Sequence, residues 1–466
     1  MAEPLTILRD RHNENWLVGY DRSAIAASLE ERFQQLKTIR NSRTSPVICL
    51  TERDPLKFLT GFIVACEARC TVVLGNPKWG ESEWAQLFRH LSPDLIWGEI
   101  PPFPVPAVIP TPPPAAGTIL IATGGSSGRL RFAIHTWDTL LASVQGFQAH
   151  FQQAVVNSCC VLPLHHVSGL MQLMRSLTSG GQLAVFPFSQ LQQSQLGTIA
   201  PLIDPQDYFL SLVPTQLHRL LQHSESVDWL RQFHTILLGG AAAWGDLRDR
   251  ARQIGLPLAP TYGMTETASQ IATLRPSEFL RGNFSSQCCG QLLPHASVVV
   301  GDRPDQPAPI GAIGSIWITA DSLALGYFPT EELGWERGRS QPFQTDDLGF
   351  LDAAGYLHIV GRNSQKIITG GENVFPAEVE AALYATGLVA EVCVIGTPDP
   401  EWGEAVTALY VPAQPNLAVA TLEATVKQRL SRYKCPKRWR SLSHLPRTAQ
   451  GKVDYAQLYQ VGLNAH

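Results

Sequence analysis

Apolar residues in the first two thirds of the chain come in short runs that are separated by longer, helix-like segments. The runs SPVICL (45–50), TVVLGNP (71–77) and HTILLGG (234–240) show this alternation. Strands that alternate with helices build parallel sheets with helices on their faces, so the pattern predicts stacked α/β layers. The Pro-rich stretch at 101–114 can form neither a helix nor an inner strand, and we expect an extended surface connection there.

After residue 285 the pattern changes to short strand-like runs separated by Gly, Pro and Asp, which predicts a small β subdomain. Residues 381–466 return to alternating helices and strands. Between the two lies a segment in which Gly361 is expected to end a strand, Gly370 and Gly371 to form a turn, and Pro376 to start a helix. We interpret this segment as a hinge. It divides the chain into a large N-terminal domain, 1–361, and a small, mobile α+β domain, 362–466.

Size and composition agree with a soluble protein of at least two domains, because 466 residues exceed what one hydrophobic core usually serves. The formal net charge of −4 gives no electrostatic reason to expect nucleic acid or an anionic membrane as a partner. No stretch approaches the roughly 20 apolar residues of a membrane-spanning helix. The N-terminal residues lack the apolar core of a signal peptide.

The nine cysteines show neither a CxxC motif nor the Cys/His spacing of a zinc site. We therefore expect reduced thiols and a cytoplasmic location rather than a disulfide framework. Whether the chain forms homo-oligomers stays open at this point.

A glycine- and hydroxyl-rich loop follows the apolar run that ends at Thr123. Its glycines allow successive backbone N–H groups to face one cavity, and its hydroxyls and the nearby Arg131 add donors, so the loop can hold a polyphosphate. A glycine-rich hairpin explains the same residues about equally well, and the loop is not a Walker motif. The loop residues are Gly124, Gly125, Ser126, Ser127 and Gly128.

Two further segments carry candidate ligand-binding residues. In TYGMTETASQ (261–270), Tyr262 offers a flat ring, Thr265 a hydroxyl and Glu266 a carboxylate suited to magnesium; a capped helix start is the alternative. In FQTDDLGFLD (343–352), the carboxylate of Asp347 can accept from both ribose hydroxyls, although aspartates of surface turns are common, and for Asp346 that explanation is preferred.

Charged residues elsewhere are ambiguous when each is considered alone. Arg175 lies among apolar helix positions and needs an anionic partner, for which a structural salt bridge is preferred over a substrate. His166 is better explained as a core histidine. Arg362 suits phosphate or ribose oxygens, and Lys452 follows a tight turn but resembles an ordinary surface lysine.

Taken together and in this order, these motifs resemble those of the adenylate-forming superfamily of acyl- and aryl-CoA synthetases, luciferases and peptide-synthetase adenylation domains. The resemblance covers residues 45 to 460 or so. Within the superfamily it is greatest to the o-succinylbenzoate–CoA ligases of menaquinone and phylloquinone synthesis. The segments LPLHHVSGL (162–170) and GMTETASQIATL (263–274) and the position of Arg175 carry that closer resemblance.

The resemblance implies an ATP- and Mg²⁺-dependent ligase that activates a carboxylic acid as its acyl-adenylate and transfers it to coenzyme A. Glu266 would hold the metal ion, Lys452 would contact the carboxylate and α-phosphate, and Ser364 would be the hinge residue. His166 would lie beside the thiol channel, and Arg175 would pair with the second, non-activated carboxylate. The implied nucleotide-binding residues are Thr123, Gly124, Gly125, Ser126, Ser127, Gly128, Arg131, Gly240, Thr261, Tyr262, Gly263, Thr265, Asp347 and Arg362.

The chain departs from the superfamily pattern at two places. Leu130, Arg131 and Phe132 stand where the phosphate loop usually ends Pro-Lys-Gly, and Ser364 replaces the usual hinge Asp or Lys. One alternative is another acyl- or aryl-CoA ligase, acting on a fatty or benzoate-like acid. The altered loop also suggests a second, a non-catalytic nucleotide-binding homologue.

Overall fold

The structure, a computed structural model, describes most of the chain. The described residues are 4–11, 14–40, 45–104, 111, 114–123, 130–191, 196–241, 245–282, 284–329, 341–415, 417–447 and 453–463. None of the helices within these ranges is long and apolar enough to cross a membrane. All nine cysteines carry free thiols, as the sequence predicted.

The first layer is a sheet with helices on its faces. In chain order its elements are α1 (Pro4–Asp10), α2 (Arg22–Arg40), β1 (Val47–Thr51), α3 (Pro55–Glu67), β2 (Thr71–Leu74), α4 (Glu81–His90), β3 (Leu95–Gly98), β4 (Thr118–Thr123), β5 (Arg131–Thr136) and α5 (Trp137–Phe151). Strands β4-β2-β1-β3 are parallel, and β5 pairs antiparallel with β4. Every residue of β1, β2 and β4 is buried, as expected of a parallel sheet covered on both faces.

The second layer continues the alternation of strands and helices. Its elements are β6 (Asn157–Cys160), α6 (Val167–Ser179), β7 (Leu183–Val185), α7 (Leu196–Ile199), β8 (Tyr208–Leu212), α8 (Pro214–Leu220), α9 (Ser224–Leu230), β9 (Thr235–Leu238), α10 (Gly245–Gln253), β10 (Leu258–Met264) and β11 (Ser269–Thr273). Strands β10-β9-β8-β6-β7 are parallel. The predicted α/β layers are therefore confirmed.

The expected β subdomain is not a separate sheet. Its elements are α11 (Pro276–Arg281), β12 (Cys288–Leu292), β13 (Ala296–Val300), β14 (Gly314–Ala320), β15 (Tyr327–Phe328), β16 (Phe343–Leu351) and β17 (Tyr356–Arg362). Strand β11 pairs antiparallel with both β10 and β12, so the later strands extend the second layer into one eleven-stranded sheet. Strand β15 instead pairs with β5 and completes a six-stranded first sheet.

The prediction that Gly361 ends a strand was wrong by one residue. Strand β17 continues to Arg362, because its pairing with β16 continues as far as the Asp347–Arg362 pair. This register places the two predicted ribose-binding residues on neighbouring strands.

The C-terminal domain has a sheet and a core of its own. Its elements are β18 (Ile367–Thr369), β19 (Glu372–Val374), α12 (Pro376–Tyr384), β20 (Val389–Asp399), β21 (Gly403–Pro412), α13 (Val419–Lys427), β22 (Arg438–Ser441) and α14 (Tyr455–Gly462). Gly370 and Gly371, with φ of +60° and +82°, form the turn between β18 and β19, and α12 begins at Pro376. The predicted turn and helix start are both confirmed.

Candidate active site

Glu266 lies where the two layers meet, in a 3₁₀ turn, Thr265–Thr267, directly after β10. The residue is only 8% exposed, and the Tyr327 hydroxyl donates a hydrogen bond to its Oε1 atom at 2.6 Å. Arg131 lies over the Tyr327 ring, with Cζ 4.6 Å from the ring centroid, and its Nε donates to Thr123 Oγ1 at 3.2 Å. Two of the predicted residues, Glu266 and Arg131, thus contact Tyr327, and a third, Thr123, contacts Arg131.

The Glu266 carboxylate suits a cation whose other ligands come from substrate or water. Burial and the neighbouring carboxylate raise the pKa of Tyr327, so this tyrosine keeps its proton and acts as the donor. The described part of the chain contains no group of three or more His, Cys, Asp or Glu side chains able to hold a metal ion. A magnesium ion at Glu266 would therefore draw its remaining ligands from substrate phosphates and water.

A buried histidine fixes the position of the 3₁₀ turn. Nε2 of His135, on β5, lies 2.7 Å from the carbonyl oxygen of Thr265, and Nδ1 lies 3.0 Å from Thr139 Oγ1. A carbonyl only accepts, so the proton is on Nε2. Burial lowers the pKa of His135 to about 4, which keeps the ring neutral. The first layer thereby holds the turn that carries Glu266.

Asp347 lies at the centre of a second group of predicted residues. Tyr262 donates its hydroxyl proton to Asp347 Oδ2 at 2.7 Å, and Nε of Arg362 lies 3.4 Å from Oδ1. Asp347 is 9% exposed, whereas half of the Arg362 side chain is exposed. Burial and the Asp347 charge raise the pKa of Tyr262, so it remains a donor. The structure brings these three residues together.

The backbone just after β9 lies close to the Thr261 side chain on β10. A Cβ at Gly239 would lie 2.4 Å from Thr261 Oγ1, and Gly240 has φ +79°, a conformation that favours glycine. Position 239 therefore has no room for a side chain next to Thr261, and Gly240 lies against Val213.

The turn that connects β10 to β11 is tight. A Cβ on Gly263 would lie 2.0 Å from the carbonyl oxygen of Ser269, so this position has no room for a side chain. Ala268 and Ser269 have φ of +49° and +100°, which residues other than glycine seldom adopt. Ser143 Oγ on α5 donates to the Ala268 carbonyl at 2.7 Å and helps to hold this strained backbone.

Arg175 lies on α6 and is 2% exposed. Its Nη2 donates to Ser269 Oγ at 3.0 Å and to Gln270 Oε1 at 2.8 Å, and its Cζ lies 4.2 Å from the Phe147 ring centroid. Nε is buried and has no hydrogen-bond partner among the described residues. The preferred explanation from sequence, a structural salt bridge, is wrong within the described chain, because both hydrogen-bond partners are neutral. Burial lowers the pKa of Arg175 to about 9.

His166 and Arg175 occupy well-separated positions on one helix. His166 directly precedes α6, and its ring centroid lies 4.5 Å from that of His165. Arg175 follows His166 by nine positions, which corresponds to about 14 Å along the helix axis. The two predicted substrate contacts would therefore touch different parts of a ligand.

Ser364 is tied to the large domain by Asp346. The Ser364 N–H donates to Asp346 Oδ1 at 3.0 Å, and the Ser364 hydroxyl also donates to this carboxylate. Asp346 thus contacts the predicted hinge residue, although the sequence favoured an ordinary surface turn.

Six predicted residues lie outside the described part of the chain. They are Gly124, Gly125, Ser126, Ser127, Gly128 and Lys452. Leu130 and Phe132, which follow the phosphate loop, are described and buried.

Sequence reasoning missed several residues of the site. Tyr327 and His135 lie in no recognised motif, and their roles depend on contacts with a distant turn. Ser269 and Gln270 lie at the end of the segment 261–270, after Glu266, but the sequence alone assigned them no role. Alternation within β11 was the available signal, because it places Gln270 on the side opposite Ile271.

Comparison with known proteins identifies two matching family models. The model of the AMP-binding enzymes matches residues 64–328, and that of the AMP-binding enzyme C-terminal domain matches residues 378–452. Among curated proteins, the chain is 31% identical over 343 residues to a 2-succinylbenzoate–CoA ligase of Enterococcus faecalis, covering 72% of this chain and 67% of that protein.

Among solved structures, the chain resembles the o-succinylbenzoate CoA synthetase (MenE) of Bacillus subtilis in complex with the acyl-adenylate intermediate OSB-AMP. The TM-score is 0.82 and the identity 25%, with 97% of each chain covered. The same enzyme in complex with ATP and a magnesium ion gives a TM-score of 0.80 at 25% identity, covering 97% of this chain and 98% of the other.

Proposed function

The chain belongs to the AMP-binding enzyme family, and we infer from this that it is an AMP-forming acid–thiol ligase. It activates o-succinylbenzoate with ATP and transfers the acyl group to coenzyme A. Its substrates are thus three small molecules, the acid, ATP and coenzyme A, and magnesium is its cofactor. The resemblance seen in the sequence assigns the product to menaquinone or phylloquinone synthesis.

One observation carries the choice of acid. Arg175 is buried and cationic, its hydrogen-bond partners are neutral, and its Nε has no acceptor in the described chain. A buried charge of this kind is costly unless an anion pairs with it. An acid that keeps one carboxylate after the other has been activated supplies that anion, whereas a fatty acid or benzoate does not.

The opposite part of the site suits a magnesium-bound nucleotide. Asp347 and Arg362 would bind the ribose, and the ring of Tyr262 would lie along the base. Glu266 would hold the magnesium ion, whose charge would neutralise phosphate oxygens during adenylate formation. Thr123, Arg131 and the glycine-rich loop would surround the phosphates.

The proposed reaction has two steps. In the first, an oxygen of the substrate carboxylate attacks the α-phosphorus of ATP, the bond to the β-phosphate oxygen breaks, and pyrophosphate leaves. Negative charge grows on the phosphate oxygens, and Lys452 would stabilise it. In the second step, the sulfur of coenzyme A attacks the acyl carbon, the thiol loses its proton, and the bond to AMP breaks. His166 would lie beside the incoming thiol.

A boundary between residues 361 and 362 would allow one small domain to serve both steps. Rotation about Ser364 would withdraw Lys452 and present another face of residues 362–466 to the adenylate. The separate core of the C-terminal domain and the position of Ser364 just after β17 support this proposal.

A cytoplasmic location completes the proposal, and whether the chain forms homo-oligomers is a question for measurement. Nine free thiols support a reducing compartment. Light scattering after size exclusion would give the oligomeric state.

The decisive experiment is mass spectrometry of the products after incubation with ATP, magnesium, coenzyme A and o-succinylbenzoate. We expect AMP and the o-succinylbenzoyl thioester. A panel of fatty and benzoate-like acids in a pyrophosphate-release assay separates the alternatives. Equal activity with mono-acids would identify a different acyl- or aryl-CoA ligase, and ATP binding without any adenylate would identify a non-catalytic homologue.

A further inference from the structure

His295 lies in the loop between β12 and β13 and packs directly against α5. A Cβ on Gly146 would lie 1.7 Å from the Nδ1 atom of His295, so the imidazole fits only because position 146 is a glycine. The next residue of α5 is Phe147, whose ring lies against the Arg175 guanidinium. Two successive residues of one helix thus contact His295 and Arg175.

Both ring nitrogen atoms of His295 are shielded from solvent and have no hydrogen-bond partner in the described chain. The same holds for Nε of Arg175 and Nε2 of Gln270, and Gln270 is joined to Arg175 through its Oε1 atom. A buried polar group without a partner is destabilising, because it has lost its hydrogen bonds to water and gained none in return. Several such groups within reach of the Arg175 charge would gain partners from a ligand rich in acceptor oxygens.

The charge state of His295 limits what it can donate. Burial is the main cause that lowers its pKa to about 4, and the Arg175 charge contributes in the same direction, whereas Asp321 opposes the shift. A neutral imidazole carries one N–H, so His295 can give a single hydrogen bond to a carboxylate or keto oxygen. Arg175 supplies the positive charge.

We propose that His295 is a specificity-determining residue that donates a hydrogen bond to the acid substrate beside Arg175, with Gln270 as the third donor. This inference rests on the proposed function. It adds how the enzyme recognises the part of the acid that is not activated, namely its other carboxylate or its keto oxygen. Two observations support this inference: both ring nitrogens of His295 are buried without a hydrogen-bond partner among the described residues, and the His295 ring fits closely against Gly146.

The test compares two variants at this position. His295→Phe keeps a flat ring but removes the donor, and His295→Asn keeps a donor in a smaller side chain. For His295→Phe we expect a roughly 10- to 100-fold rise in KM for o-succinylbenzoate, with kcat and the KM for ATP little changed. His295→Asn should recover part of the loss.

His150→Phe is the matched control. His150 lies on the same helix, α5, its Nε2 is likewise buried and without a partner among the described residues, and burial lowers its pKa to about 4 as well. We expect this variant to leave the KM for o-succinylbenzoate unchanged. Thermal melting of all variants with bound AMP monitors folding.

Two analogues, one without the non-activated carboxylate and one without the keto oxygen, identify the group that His295 recognises. An analogue without that group should be used equally poorly by the wild type and His295→Phe. The inference is overturned if His295→Phe leaves the KM for o-succinylbenzoate unchanged, or if His150→Phe raises it as much. If the wild type makes no thioester from o-succinylbenzoate, the proposed function and this inference both fail.

Discussion

The two ends of the site differ in how their polar groups are satisfied. At the nucleotide end, which comprises Tyr262, Glu266, Tyr327, Asp347 and Arg362, each carboxylate accepts a hydrogen bond from a tyrosine of raised pKa. The acid end comprises Arg175, Ser269, Gln270 and His295. There, Nε of Arg175, Nε2 of Gln270 and both ring nitrogens of His295 have no partner in the part of the chain that the structure describes. The first end is assembled by internal contacts, and the second is completed by its ligand.

The difference suggests separate roles for the two ends, with the nucleotide end serving the chemical step and the acid end serving the selection of the acid. Groups already held by internal hydrogen bonds need little rearrangement when charge develops, which favours catalysis. Groups left without partners recover their lost hydrogen bonds only when the matching ligand binds, which favours discrimination between acids.

The largest expected effect comes from removing the charge at the nucleotide end. Glu266→Gln keeps an acceptor for Tyr327 but loses the anion that would hold magnesium, so adenylate formation should fall about 100- to 1,000-fold. Pyrophosphate release measures this step. Glu278→Gln is the control, because Glu278 also accepts from a tyrosine, the Tyr356 hydroxyl at 2.6 Å. Equal losses in both variants would contradict a special role for Glu266.

Removing the charge at the acid end should change KM and leave stability intact. For Arg175→Leu we expect the KM for o-succinylbenzoate to rise about thirtyfold or more, because the substrate carboxylate loses its partner. The melting temperature should stay or rise, since an unpaired buried charge has been removed. Arg248→Leu is the control: Arg248 is buried but donates to the carbonyls of Ser286 and Cys288, so that variant should lose stability. A large loss of stability in Arg175→Leu would argue that Arg175 is a structural residue.

A smaller effect is expected for Asp347→Asn. Losing a charged acceptor for ribose hydroxyls should raise the KM for ATP about tenfold or somewhat more and leave the KM for the acid unchanged. Steady-state kinetics with each substrate varied in turn measure both values. Asp352→Asn, in the adjacent turn, serves as control, because Asp352 pairs with His358 at 2.9 Å. A rise in the KM for the acid with an unchanged KM for ATP would show that Asp347 does not bind the nucleotide.

The smallest effect should follow Tyr327→Phe. The ring that faces Arg131 remains, and only the hydrogen bond to Glu266 is lost, so adenylate formation should fall about three- to tenfold. The KM for the acid should not change. A loss as large as that of Glu266→Gln would mean that the Tyr327 hydroxyl takes part in catalysis directly and does more than position Glu266.

Most residues of the nucleotide end could be picked out from the sequence, because they lie in local motifs, whereas most of the acid end could not; the roles of both groups stay predictions. Tyr262, Glu266 and Asp347 were identified within runs of a few residues, and the α/β layers followed from the hydrophobic pattern. Lys452 and the glycines of the phosphate loop lie outside the described residues, so their roles stay predictions.

The acid end depends on contacts that no local pattern encodes. His295 meets Gly146, which lies about 150 positions earlier in the chain, and neither belongs to a motif. The contact of Asp346 with Ser364 likewise follows from the register between β16 and β17, which a single sequence does not reveal. The merging of the expected β subdomain into one large sheet was missed for the same reason.

The tight turn between β10 and β11 bears on how this enzyme can be re-engineered. Tyr262 and Ser269 lie on its two strands, and the Cα of Gly263 lies against the Ser269 carbonyl, so a side chain at position 263 would force the two strands apart. Exchanging side chains here to admit a new acid would also alter the alignment between acid and nucleotide, and turnover would suffer for every acid. New selectivities are better sought at positions of α5 and α6 other than Ser143 and Arg175, since these two side chains hydrogen-bond to the turn.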